Sequence, residues 1–109
     1  MSAILKNNVK QSGNGRRPMI FAHGYGCDQQ MWRLVAPAFE DRFNVVTFDH
    51  VGAGGSDLSS YDRQRYSSID AYADDIVDIG RELDFNDAII VGHSVSAMIG
   101  ALASIKAPE

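Results

Sequence analysis

The stretch Ala88-Ile-Ile-Val-Gly-His-Ser-Val-Ser96 decides how the rest of the chain is read. Ala88 to Val91 is an apolar run closed by a glycine, which fits a short strand buried on both faces. Val95 to Ile105 is apolar or small nearly all round, the pattern of a helix buried in a larger body, and Pro108 ends it. Gly92-x-Ser94-x-Ser96 therefore stands between a strand and a helix, the context that a nucleophile elbow requires. Read alone, the motif also fits a serine that merely caps a helix after a strand.

The elbow reading makes physical demands on each residue. A strand that turns sharply into a helix forces Ser94 into a strained backbone conformation. The residues two before and two after it must be small, here Gly92 and Ser96, with Ser96 standing where glycine is usual. The turn lifts the Ser94 hydroxyl out at the carboxyl end of the sheet. It sets the Val95 N–H at a helix N-terminus, where a developing oxyanion is stabilised. The same turn is expected to send the His93 side chain into the structure.

Working outward, Pro18-Met-Ile-Phe-Ala22 is a second apolar run, followed by His23-Gly24-Tyr25-Gly26. That loop lies just past a strand end, where the backbone N–H of Tyr25 can complete an oxyanion hole with Val95. Asp28 is placed to cap a helix with Met31, Trp32, Leu34 and Val35 on its apolar face, ended or kinked at Pro37. Asn44 to Phe48 reads as another buried strand, and Asp49 to Asp57 as a glycine-rich loop. Ile4 to Val9 reads as a short first strand, with turn chemistry at Gly13-Asn14-Gly15. After Ser67 and Ser68, the residues Ile69, Tyr72, Ala73, Ile76, Ile79, Gly80 and Leu83 recur at helical spacing. Asp70, Asp74, Asp75, Asp78 and Glu82 mostly fall elsewhere, on the wet side of that helix. Alternating strands and helices predict an α/β fold, a parallel sheet with right-handed crossovers and helices on both faces. The strand at Pro18–Ala22 should lie between the other two.

Composition narrows the function. The 109 residues are 45% apolar, enough for one core and against disorder. No apolar run reaches the roughly eighteen residues of a spanning helix. The net charge of −4 and a basic cluster limited to Lys10, Arg16 and Arg17 argue against nucleic acid or a membrane surface as partner. Cys27 is alone, so a disulfide scaffold is excluded, and it reads as a small packed residue. Met1 to Gln11 carries too short an apolar stretch for a secretory signal, so a reduced, cytoplasmic protein is expected. Gly52-Ala-Gly-Gly55 matches neither a dinucleotide fingerprint nor a P-loop, no metal-ligand spacing occurs, and no cofactor is expected.

These motifs together resemble the α/β-hydrolase superfamily, and within it the group of the bacterial sigma-B stress-response hydrolase and the plant karrikin and strigolactone receptors. The resemblance is carried by His23-Gly-Tyr-Gly-Cys-Asp-Gln29, Val35-Ala-Pro-Ala-Phe39, Phe48-Asp-His-Val-Gly-Ala-Gly54, Ser56-Asp57, Tyr61-Asp62, Arg65-Tyr66 and Gly92-His-Ser-Val-Ser-Ala-Met-Ile-Gly100. It implies that Ser94 is a nucleophile, that Tyr25 and Val95 donate to the oxyanion, and that His23, Gly24, Gly26, Gly92, His93 and Ser96 support them. It also implies an aspartate and a histidine after the serine, yet neither type occurs between Val95 and Glu109. Residues 1–109 are accordingly expected to be the N-terminal part of one hydrolase core domain, ending after the nucleophile helix. The lid, the later strands and two triad members would lie elsewhere, and these 109 residues alone would be inactive.

Three functions follow from the resemblance. One is a serine hydrolase of small lipophilic esters or lactones, butenolide-like, working through an acyl-enzyme. Another is a ligand-sensing module that shows a changed surface to a regulatory protein partner. The third is an inactive piece of either. A dehalogenase or epoxide hydrolase is disfavoured, because those use a carboxylate where Ser94 stands.

Overall fold

The computed structural model describes residues 2–107, so Pro108, expected to end the last helix, lies outside the described residues. The sheet forms from four strands, β1 (Lys10–Ser12), β2 (Arg17–Ala22), β3 (Phe43–Thr47) and β4 (Ile89–Gly92), in the order β1-β3-β2-β4. β2 pairs in parallel with β3, Met19 opposite Val45, and with β4, Ala22 opposite Gly92. The strand read from Pro18–Ala22 is thus central, as its unbroken apolar run requires. β1 adds an antiparallel edge, Lys10 opposite Thr47.

Side chains alternate across β2 and β3 and so build two cores. Ile20, Ala22, Val46 and Phe48 face helix α2 (Ile69–Glu82) and helix α3 (Val95–Lys106), meeting Ala73, Ile76, Ile79, Ile99 and Ala103. Ser68 caps α2 by accepting from the Asp70 N–H. Met19, Phe21 and Val45 face the other way, against Trp32 and Ala36. Trp32 is a core residue, its ring 5.0 Å from that of Phe21.

Four readings are corrected. Ile4–Val9 is not a strand: helix α1 (Ala3–Lys6) forms there, and the strand follows at β1. The cause is tertiary, since the Ala3 N–H donates to Glu82 and Lys6 pairs with Asp75, fastening α1 to α2. The segment after Asp28 is not an α-helix but two 3-10 turns, Gln29–Trp32 and Ala36–Phe39, with Leu34 82% exposed. Asp28 does cap the first, accepting from the Gln30 N–H, while Pro37 starts the second turn rather than ending a helix. Asp75 is not on the wet side. Its carboxylate is fully buried and meets Lys6 Nζ at 2.6 Å, the Tyr66 hydroxyl at 2.8 Å and Arg65 at 3.8 Å. α3 is only partly enclosed, with Ser96, Ile99, Gly100 and Ala103 buried but Met98 and Ile105 exposed. It flanks β4, one of the two edge strands of the described sheet.

Candidate active site

The strand-to-helix turn between β4 and α3 carries the most unusual backbone of the region. Ser94 has φ 59° and ψ −124°, a conformation that costs a non-glycine residue about 1–3 kcal/mol. The geometry is possible because Gly92 has no side chain: a Cβ there would collide with the Ser96 carbonyl. The turn is held by the His93 N–H on the Ala22 carbonyl and the Ser96 N–H on the His93 carbonyl, each at 3.1 Å. Ser94 is exposed, and Val95 begins α3, where first-turn N–H groups have no partner within the helix.

An open cleft of about 1030 Å³ lies beside this turn. Its lining includes His23, Tyr25, His50, Tyr72, Val95 and Ile99, so the loop after β2, the loop after β3 and the start of α3 meet on one space. Tyr25 is 93% exposed, and Gly26 follows it with φ 77°. Cys27 is a half-buried free thiol in the same wall. His93 departs from expectation. Its ring is exposed rather than turned inward, and it lies over Gly24, where any Cβ would meet the ring.

The hydrogen bonds show which ring nitrogen of each buried histidine is a donor. His23 Nδ1 meets the Gly24 carbonyl at 2.9 Å and must be the donor, because a carbonyl only accepts. Its Nε2 is then free to accept from the His50 N–H, at 2.9 Å. The Ser96 hydroxyl donates to the His23 carbonyl, so it receives a proton at 2.7 Å from His50 Nε2. His50 Nδ1 is buried and has no hydrogen-bond partner among the described residues. Burial above all, with a smaller contribution from the neighbouring His23, pushes the His50 pKa down to about 4.

A second organiser was not singled out from the sequence. The Asp49 carboxylate is buried and accepts from Asn8 Nδ2 at 3.0 Å, the Gln29 N–H at 2.8 Å and the Gly55 N–H at 2.9 Å. Burial alone would raise its pKa, but these donors together outweigh it and hold the group below the ordinary carboxylate value. Asp49 thereby ties the two loops that flank the cleft. An acid at a strand end before a glycine-rich loop was the available signal.

Comparison with known proteins places this geometry among relatives. The alpha/beta hydrolase fold family matches residues 17–109. The chain is 44% identical over 103 residues to a karrikin insensitive 2 receptor of Petunia hybrida, covering 94% of this chain and 38% of that protein. It is 44% identical over 102 residues to a strigolactone esterase of Arabidopsis thaliana, again 94% and 38%. The structure of a hydrolase from Oleispira antarctica superposes with a TM-score of 0.94 at 43% identity, covering 97% of this chain and 39% of that one. The chain thus spans 38% of the length of these curated relatives. No helix among the described residues is long and apolar enough to cross a membrane.

Proposed function

Because the chain belongs to the alpha/beta hydrolase fold family, we propose that Ser94 is the nucleophile of a serine hydrolase acting on small lipophilic esters or lactones of the butenolide kind. The observation that carries this is the left-handed Ser94 backbone, held between β4 and the N-terminus of α3 next to Val95, which lines the cleft. Strain of this sort persists where the surrounding structure imposes it, and Ser94 is exposed. Attack on the carbonyl would form an acyl-enzyme, with the developing negative charge received by the Val95 and Tyr25 N–H groups. The cleft and the relatives named for strigolactone and karrikin support the substrate class.

None of the three histidines supplies the base in this reading. Both nitrogens of His23 are engaged, the buried His50 donates its only N–H to Ser96, and the His93 ring lies against Gly24. We assign the acid and base to chain beyond residue 109, these residues being the N-terminal part of one core domain. The lone cysteine favours the cytoplasm. The relatives named as receptors favour a second reading, in which ligand binding with little turnover changes the surface offered to a regulatory protein.

In the full-length protein a fluorophosphonate probe is expected to label Ser94, and Ser94→Ala to abolish the labelling. Mass spectrometry of the labelled peptide checks this, and persistent labelling of another residue would mean that the nucleophile lies elsewhere. The 109-residue chain alone should hydrolyse a chromogenic acetate ester at close to the background rate.

A further inference from the structure

Ser96 is the residue of the elbow that its motif explains least. The position asks only for small size, and glycine would meet that. Yet the Ser96 side chain is fully buried and its one hydroxyl makes two bonds, donating to the His23 carbonyl and accepting from His50 Nε2. A buried hydroxyl with both directions used joins three elements: α3, the loop after β2 and the loop after β3.

The consequence falls on one peptide plane. The Gly24 carbonyl and the Tyr25 N–H belong to the same peptide, and in a trans peptide they point in opposite directions. That carbonyl is held by His23 Nδ1 at 2.9 Å and by the Cys27 N–H at 3.2 Å. Fixing the carbonyl on the His23 side aims the Tyr25 N–H the other way. His23 can hold it only while its proton sits on Nδ1, which the His50 N–H on Nε2 enforces. His50 in turn is held by Ser96 and by edge contacts with Phe48 and Tyr72 at 5.0 and 5.5 Å.

We infer that the Ser96 hydroxyl and the His50 ring form a clasp that positions the Gly24–Tyr25 peptide, and through it the N–H that receives the oxyanion. This rests on the reading of Ser94 as nucleophile. Ser96 and His50 are positioning residues, since neither touches the reacting atoms. The clasp also links the two donors mechanically: Val95 and Ser96 are adjacent in α3, so the helix that carries one donor holds the loop that carries the other.

The test is nitrogen-15 NMR of the full chain near neutral pH, beside the rate of fluorophosphonate labelling at Ser94. The wild type should show His23 as the Nδ1–H tautomer and His50 as the Nε2–H tautomer. Ser96→Ala, which removes only the hydroxyl, should shift the Tyr25 amide resonance, disturb both histidine signatures and slow labelling by about tenfold or more, approaching the loss of one oxyanion donor. His50→Gln keeps a donor for Ser96 and should retain the His23 signature and the Tyr25 resonance, whereas His50→Phe should lose both. That pair carries the test if Ser96→Ala fails to fold. Unchanged Tyr25 and His23 signals in both Ser96→Ala and His50→Phe would overturn the clasp. Wild-type spectra as described, with Ser96 dependence but no labelling of Ser94 in the full-length protein, would uphold the clasp and overturn the hydrolase reading instead.

Discussion

Replacing Lys6 with methionine is expected to destabilise the chain by about 3–5 kcal/mol, the cost of removing one partner from a buried ion pair. The substitution nearly keeps side-chain volume and is one heavy atom shorter, so packing changes little. It leaves the Asp75 carboxylate fully buried with the Tyr66 hydroxyl as its one close side-chain donor, since Arg65 stands 3.8 Å away and is half exposed. A domain has about 5–15 kcal/mol in total, so the loss is a large share of it. At about 2–4 °C per kcal/mol for a larger domain, the melting temperature of the full-length protein should drop by about 6–20 °C, measured by circular dichroism on heating. Lys106→Met is the control. Its ammonium pairs with Asp74 and Asp70 on the surface, where water screens the attraction, and its melting curve should stay near that of the wild type. If the two variants melt alike, Tyr66 and Arg65 suffice for Asp75. The effect reaches the cleft, because Tyr66 lines it and packs edge-on against Tyr72, with ring centroids 4.8 Å apart.

Asp75 also marks where sequence reasoning stops. The helical periodicity of Ile69–Leu83 located α2 and its apolar face correctly, because that pattern is local. The covering of Asp75 is not local: it depends on α1 and on the turn at Arg65–Ser67 folding over the helix. The error at Ile4–Val9 has the same origin, since the bonds that choose helix there come from Glu82 and Asp75. The segment after Asp28 failed for a nearer reason. Pro37 has no N–H, so an α-helix begun at Gln29 could not run through it, and two tighter turns resulted. The parallel strands were legible because short apolar runs followed by polar or glycine-bearing loops leave few alternatives. The elbow was legible because Gly92 and Ser94 are tied to a backbone geometry. The bonding of Ser96, His50 and Asp49 was not, because it depends on which atoms three separated loops bring together.

His50 is expected to make stability fall by about 3 kcal/mol as the pH is lowered from 6.5 to about 4. The sign follows from proton counting. In the unfolded chain His50 takes up a proton near its ordinary value of 6.5, while in the fold burial and the adjacent His23 keep it neutral down to about 4. Between those values the unfolded state holds the extra proton, so acid favours unfolding, and below about 4 no further loss comes from this group. The ring has nowhere to put the charge. Nε2 already donates to Ser96, Nδ1 is buried with no acceptor, and the surrounding rings are His23, Phe48 and Tyr72. Asp49, the adjacent residue and the one carboxylate that favours the charged form here, is occupied by Asn8, Gln29 and Gly55. Its own contribution runs in a separate window: its folded pKa is lowered, so it stabilises above 3.8 and is lost only as the pH falls below that value. Urea unfolding between pH 7 and 4.5, for the wild type and His50→Gln, isolates the histidine. Glutamine keeps the donor to Ser96 without a titrating nitrogen, so the wild-type curve should fall away from that of the variant as the pH drops. Parallel curves would mean that His50 gains a partner for its proton in the fold. A widening gap would show that the ring stays neutral in the fold, and the clasp would outlast the titration, because a proton on Nδ1 leaves the Nε2–H donor to Ser96 in place.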